Sequence, residues 1–427
     1  MKERICVTTL GCAKNIVDSE KLIAKLSKDY TITENPNDTD FLVINTCGFI
    51  SSSIKENSDY INSAIKLKEI GKLKKLFVVG CLPQRISSEV AKKFPEVDGF
   101  FGVDFLNQLP KALNSHIYEL HGERHLLTPS HFAYLKISDG CEHNCAFCSI
   151  PYFKGGFRSE PIYDIIEEVK RLVDKGVKEI ILIAQDTTSY GVDLYGRKAL
   201  NDLLIKLDKV DGLQWIRLMY AFPRNFPIEI LETMNLSQKI VKYIDIPIQH
   251  ISTNILKKMG RGMDKDSTIS LLQTIRQKVA GIAIRTTMIV GFPGETDTEF
   301  QELLQFVKDF EFERLGVFEY SLEPGTPAFV YGDEVPPEVK QDRYNQLMIA
   351  QQKISKKLNK KFIDKTINVI VDEINDGTSI CRTQYDAPDI DNLVYLSSTK
   401  TKPGEIIQVK IQRSEEYDLF GKISKIK

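Results

Sequence analysis

Three cysteines, Cys141, Cys145 and Cys148, stand in the spacing CxxxCxxC within the stretch DGCEHNCAFCSIP. Thiolates are soft ligands suited to iron–sulfur clusters. Three of them satisfy three irons of a four-iron cluster and leave the fourth open. That open iron can chelate the amino and carboxylate groups of S-adenosylmethionine, and an electron delivered there can break the carbon–sulfur bond. The competing chemistry is a structural zinc with His143 as fourth ligand. The setting, a strand before and a helix after, favours the cluster. Cys12, Cys47 and Cys81 form a second set, each just past a β-type run: RICVTTLG, DFLVINT and KLFVVG. Singly, each reads as an ordinary buried thiol. In a parallel sheet, however, the strand ends share one edge, where open α/β folds place their ligands. Three cysteines far apart in sequence then converge on a second metal site. Cys6 and Cys381 lack such a setting and read as packing residues.

The elements that must position these thiols fall into three blocks. Residues 1–120 alternate β-runs with helical patterns, including one helix over about 57–67, and read as a flavodoxin-like α/β domain. Residues 127–358 repeat a strand and then a helix: AYLKIS, EIILIAQ, WIRLMYA, YIDIPI, IAIRTTMIVGF and RLGVFEYS, with helices expected at 162–173, 200–207, 267–279 and 299–310. Six such units predict a partial (β/α)6 barrel with its chemistry at the carboxyl ends of the strands. After a polar helix near 337–359, the short runs INVIVDEI, SICRTQY, NLVYLSS, EIIQVKIQ and YDLFGKIS predict a five-stranded β-barrel over 360–427.

Within the central block, GFPGE follows a strongly apolar strand, and its glycines let the backbone approach a ligand closely. Gly291, Gly294 and Glu295 are therefore candidates for one wall of an S-adenosylmethionine pocket. Gln185 and Gln249, at the ends of two other strands, are further candidate cofactor contacts. Asp186, His250, Glu319 and Tyr320 also end strands, and no residue is assigned as catalytic.

The 57 basic and 58 acidic residues balance, so no global field drives the chain onto nucleic acid or a membrane. The first residues read as a strand and not as a secretion signal, and no apolar run approaches the roughly 20 residues that cross a bilayer. Eight cysteines in such a chain are expected to be ligands or thiols in the cytoplasm, not a disulfide framework.

The stretches LGCAKNIVDSE, YLKISDGCEHNCAFCSIP and DAPDIDNLVYL resemble the methylthiotransferase branch of the radical S-adenosylmethionine enzymes, of the RimO type, and the likeness runs along the whole chain. The resemblance implies a methylthiotransferase N-terminal domain, a radical core and a C-terminal TRAM domain. It also implies two 4Fe-4S clusters, an auxiliary one on Cys12, Cys47 and Cys81 and a radical-generating one on Cys141, Cys145 and Cys148. The implied reaction, with S-adenosylmethionine, is methylthiolation of the β-carbon of an aspartate in ribosomal protein S-twelve. An electron donor and a sulfur source are further implied partners, and nucleic acid is met only through the ribosome. The competing readings are a tRNA-modifying MiaB type, with the lysine-rich stretch 66–75 on the phosphates, and a cluster carrier without catalysis. Residues 371–421 carry five basic against ten acidic residues, which points to a basic protein substrate over RNA.

Overall fold

The computed structural model describes residues 2–115, 122–397 and 400–426; the expected domain boundary at 120 and the outer bounds 1 and 427 lie outside the described residues. Strands β1 (Arg4–Thr9), β2 (Thr31–Ile32), β3 (Phe41–Thr46), β4 (Lys75–Gly80) and β5 (Gly99–Phe101) form one parallel sheet in the order β2-β1-β3-β4-β5. That is the flavodoxin-like order, as expected. FLVINT is buried at every position because helices cover both faces. Leu42, Ile44, Leu76 and Val78 pack to one side, and Val43, Phe77 and Val79 meet Leu22 and Leu109 on the other.

The second sheet uses β6 (Phe132–Lys136), β9 (Glu179–Ile183), β10 (Trp215–Leu218), β11 (Ile240–Asp245), β12 (Ala283–Val290) and β13 (Arg314–Glu319). All six are parallel and in sequential order, an open partial barrel, and a two-stranded ribbon of β7 (Ser138–Asp139) and β8 (Arg158–Ser159) flanks it. Two helices begin before their apolar periodicity does, at Lys265 and Asp297, because Asp264 and Thr296 form capping boxes with Ser267 and Glu299. Strands β14 (Thr366–Asn375), β15 (Thr378–Thr383), β16 (Val394–Leu396), β17 (Ile406–Ser414) and β18 (Leu419–Ile426) close into the expected small barrel.

This small barrel plugs the open one. Ile370 and Ala387 join Tyr134, Ile181, Trp215, Tyr243 and Ala283 in one apolar cluster. Around it, Arg217 pairs with Glu179 at 2.7 Å, Arg382 with Glu179 at 2.8 Å, and Arg314 with Asp386. The Tyr243 hydroxyl donates to Asp391 at 2.8 Å. Burial opposes charge on Glu179, but Arg217 and Arg382 outweigh it and hold the carboxyl below its ordinary range. The stability it contributes is therefore present above the ordinary carboxyl value of about 4.3 and is lost as pH falls below it. Glu179→Gln leaves two guanidinium groups facing each other in the interior. It is expected to destabilise the chain by about 3–5 kcal/mol in denaturant titrations.

The acidic excess over 371–421 is only in part a solvent-facing surface: Glu373, Asp376, Asp389 and Glu415 are exposed, whereas others turn inward. Across the whole barrel block, 360–427, eleven basic residues balance eleven acidic ones. Three of the acids, Asp372, Asp386 and Asp391, are engaged by His131 and Arg382, by Arg314, and by Tyr243 and Arg285. Barrel charge thus does not decide between protein and RNA as substrate.

Candidate functional site

Cys12, Cys47 and Cys81 follow β1, β3 and β4, three neighbours in the first sheet. The registers Thr9↔Asn45 and Thr46↔Gly80 bring their ends level at the carboxyl edge. Between β1 and β3 the strand order reverses, which makes the crevice where such folds bind ligands. Close backbone approach shapes it. Gly11 has φ +95°, and a Cβ there would stand 2.6 Å from the Cys47 Cβ. Gly80 has φ +96°, and a Cβ would meet Asn45 Oδ1 at 2.5 Å. Three asparagines that sequence reasoning did not single out tie the loops together. Asn15 Nδ2 donates to the carbonyls of Leu10 and Thr46, Asn45 Nδ2 to the carbonyl of Asn15, and Asn57 Nδ2 to the carbonyl of Cys47.

Cys141, Cys145 and Cys148 lie on the loop between β7 and the helix Ile150–Lys154. The Ala146 amide donates to the Met259 carbonyl, and the Ala328 amide to the Ala146 carbonyl, which fixes the middle of the loop. Arg261 Nη1 sits 3.4 Å from Cys145 Sγ, and the same guanidinium lies 4.3 Å over the Phe222 ring. His143, the fourth ligand of the zinc alternative, is engaged elsewhere. Its ring stacks on Phe222 with centroids 3.6 Å apart, and its Nε2 bonds Asp186 Oδ2 at 2.7 Å. Burial opposes charge on Asp186, but bonds from His143, Ser189 and Thr188 keep its carboxyl below the usual range.

Among the described residues, no three Cys, His, Asp or Glu side chains gather closely enough to hold a single metal ion. Ligands of a four-iron cube stand farther apart than ligands of one ion, and both sets offer the soft sulfur donors that such a cube takes. Burial pushes the thiols of Cys81 and Cys148 up to about 12 and that of Cys141 up to about 11, and Cys47 is raised by burial as well. Each must give up a proton to bind iron. Iron uptake at limiting iron is therefore expected to rise between about pH 6.5 and about pH 8.5, with net proton release; equal uptake at both ends would contradict it.

The two sets adjoin each other. Ser149 Oγ donates to the Phe49 carbonyl at 3.4 Å, and the helix Cys81–Arg85 packs on Ile150–Lys154. Arg85 reaches from that helix to Glu323 after β13 at 3.0 Å and also donates to the Gly48 and Phe49 carbonyls. A buried charge cluster closes the other side: Lys136 meets Asp18 and Asp139, and Lys154 lies 3.3 Å from Asp139. Burial opposes ionisation of Asp139, yet Lys136, Lys154 and Gln185 hold it far below its ordinary value.

The candidate cofactor contacts divide. Gln185 donates to Asp139 at 2.8 Å and leaves its Oε1 buried without a partner; Gln249 has φ +75° and an unpartnered Oε1. Both sit at strand carboxyl ends with acceptors to spare, which fits a polar ligand. Gly291 and Gly294 take φ +73° and +82° in the turn after β12, and a Cβ on Gly291 would stand 2.4 Å from Lys340 Cγ. Glu295 holds that turn in shape. Its Oε2 accepts from the Gly291 and Phe292 amides, its carboxylate is fully buried, and Arg343 lies 3.5 Å away.

Comparison with known proteins covers nearly the whole chain. The model of the uncharacterized protein family UPF0004 matches residues 4–102, that of the radical SAM superfamily residues 135–307, and that of the TRAM domain residues 363–423. The ribosomal protein uS12 methylthiotransferase RimO of Christiangramia forsetii is 45% identical over 98% of this chain and 94% of its own. The protein of the same name from Chlorobium phaeobacteroides is 44% identical over 99% of this chain and 96% of its own. Among solved structures, the radical S-adenosylmethionine methyltransferase TsrM from Kitasatospora setae, with cobalamin and a 4Fe-4S cluster bound, aligns with a TM-score of 0.55 at 11% identity, covering 77% of this chain and 74% of that one. The cobalamin-dependent radical enzyme OxsB aligns with a TM-score of 0.52 at 14% identity, over 82% of this chain and 56% of that one. Likeness at such identities shows a shared fold.

Proposed function

Since the chain belongs to the RimO family of ribosomal protein uS12 methylthiotransferases, we propose that it methylthiolates an aspartate of uS12, with its two cysteine sets as two 4Fe-4S sites. The observation that carries the two-site reading is the meeting of two carboxyl edges, each bearing three cysteines, with the Ser149–Phe49 contact between them. When bound, the clusters and S-adenosylmethionine supply carbon–sulfur cleavage, hydrogen abstraction from an unactivated carbon and the methylthio group, chemistry that side chains lack.

The chain's own residues hold and orient. Cys141, Cys145 and Cys148 present three thiolates, and Arg261 places positive charge beside Cys145, where a cluster would add negative charge. Gln185 and Gln249 offer acceptors at the mouth of the open barrel, and the turn from Gly291 to Gly294, held by Glu295, forms a wall. Cys12, Cys47 and Cys81 take the auxiliary cluster, and the Arg85–Glu323 pair holds their loops against the radical core. The division into 1–120, 127–358 and 360–427 is supported by the separation of the three sheets. An electron donor and a sulfur source complete the reaction. A substrate that is part of the ribosome implies action in the cytoplasm, and among the described residues no helix is long and apolar enough to cross a membrane.

The tRNA-modifying alternative gains no observation of its own. In the lysine-rich stretch 66–75, Lys68 is paired with Asp98, and Lys74 with Glu3 and Asp40. The test is mass spectrometry of uS12 after anaerobic incubation with reduced, reconstituted protein and S-adenosylmethionine. One aspartate should gain a methylthio group in place of hydrogen. The same modification on tRNA, with uS12 untouched, would reverse the assignment.

A further inference from the structure

Two residues beyond Cys12, Lys14 crosses from the first domain to the mouth of the open barrel. Its Nζ lies 3.4 Å from the carbonyl of Ala184, the residue after β9, and 3.7 Å over the ring of Tyr220, past the end of β10. Tyr220 holds φ +56°, a left-handed conformation that costs a residue with a Cβ about 1–3 kcal/mol and persists where the surroundings impose it. Among the described residues, no carboxylate stands at ion-pair distance from this ammonium; Tyr220 and Cys12 act on it most strongly through space, and Asp139 and Asp245 less. Both acids are already neutralised. Asp139 lies 3.3 Å from both Lys136 and Lys154, and Asp245 lies 2.9 Å from Arg285 and accepts the Tyr220 amide. An ammonium carries three donors, and here one faces Ala184 while a ring lines its flank. Lys14 is thus a partly exposed cation without a carboxylate partner, set at the mouth of the open barrel beside the Cys12 loop.

We propose that Lys14 binds the side-chain carboxylate of the target aspartate and so selects an acidic residue and sets its β-carbon between the two sites. The assignment rests on uS12 as substrate. A carboxylate there would complete the missing ion pair, and the Tyr220 face and the Ala184 carbonyl would keep the ammonium aimed.

The experiment compares binding of uS12, and of uS12 with the modified aspartate changed to asparagine, to reconstituted full-length protein and to its Lys14→Met and Lys14→Arg variants. Iron content and the electron paramagnetic resonance of both clusters serve as the control for folding. Wild-type protein is expected to prefer the aspartate form by about 10- to 100-fold. Lys14→Met should bind both forms equally weakly with unchanged cluster spectra, and Lys14→Arg should retain part of the preference. Undiminished discrimination in Lys14→Met overturns the proposal, as does a shifted potential of the auxiliary cluster with discrimination intact, which would assign the lysine to the cluster. If wild-type protein leaves uS12 unmodified altogether, the functional reading itself falls, and Lys14 with it.

Discussion

Cys141→Ala is expected to end reductive cleavage of S-adenosylmethionine, lowering 5′-deoxyadenosine formation by more than about 100-fold, since losing even an outer partner of a metal ligand costs 10–100-fold. The loop has no spare thiolate to offer. His143, two residues on, is stacked on Phe222 and bonded to Asp186, and moving it to the vacant position would break both contacts. Cys141 is only partly buried, and its Sγ meets the His143 amide at 3.5 Å, so the alanine costs one weak contact and little packing. The folded chain should therefore survive, and the cluster-free variant should match cluster-free wild type in circular dichroism spectrum and denaturation midpoint. Deoxyadenosine measured by chromatography after dithionite reduction reads the effect. Cleavage persisting near the wild-type rate in Cys141→Ala would refute the assignment of this loop.

The parts of this arrangement that the sequence discloses are those that local rules control. The apolar runs before Cys12, Cys47 and Cys81 are long enough to be read as strands, and a parallel sheet then aligns their ends without further information. The edge strands Thr31–Ile32 and Gly99–Phe101 are too short to leave a pattern, so the strand order, and with it the crevice between β1 and β3, appears only in three dimensions. The capping boxes at Asp264 and Thr296 are legible in principle, since each has its partner three residues on; apolar periodicity alone starts those helices two residues late.

Contacts between remote segments behave differently. Asn45 reaches the Asn15 carbonyl across 30 positions and Arg85 reaches Glu323 across 238, spacings that no local pattern encodes. The acidic residues near the C-terminus show the difference most plainly. Counted along the chain they are a negative surface, yet Asp386 and Asp391 point into the open barrel, where Arg314 and Arg285 meet them. Glu295 is a similar case. A carboxylate at the end of a glycine turn reads as a ligand contact, and folding commits its Oε2 to the amides of that same turn while its Oε1 stays buried without a hydrogen-bond partner.

Cys12→Ala is expected to separate the two sites, abolishing methylthiolation of uS12 while leaving cleavage of S-adenosylmethionine within about twofold of wild type, because sites with no shared ligand act nearly independently. Cys12 is the best of its set for this purpose. It is partly exposed at the start of the helix Ala13–Leu26, makes no side-chain cap, and its Sγ comes no nearer than 4.0 Å to Asn15 Oδ1. Cys81 is buried in the helix that packs on Ile150–Lys154, so its loss would disturb the radical-core loop as well and blur the result. Deoxyadenosine and modified uS12 are measured on the same reaction, and iron per chain should fall by about half, as loss of one of two equal clusters requires. Modified uS12 at wild-type yield from Cys12→Ala would show that the first sheet's cysteines do not serve the reaction. Loss of both products would show that they serve the same site as Cys141, and the carboxyl edges of the two sheets would then have to be read as one centre.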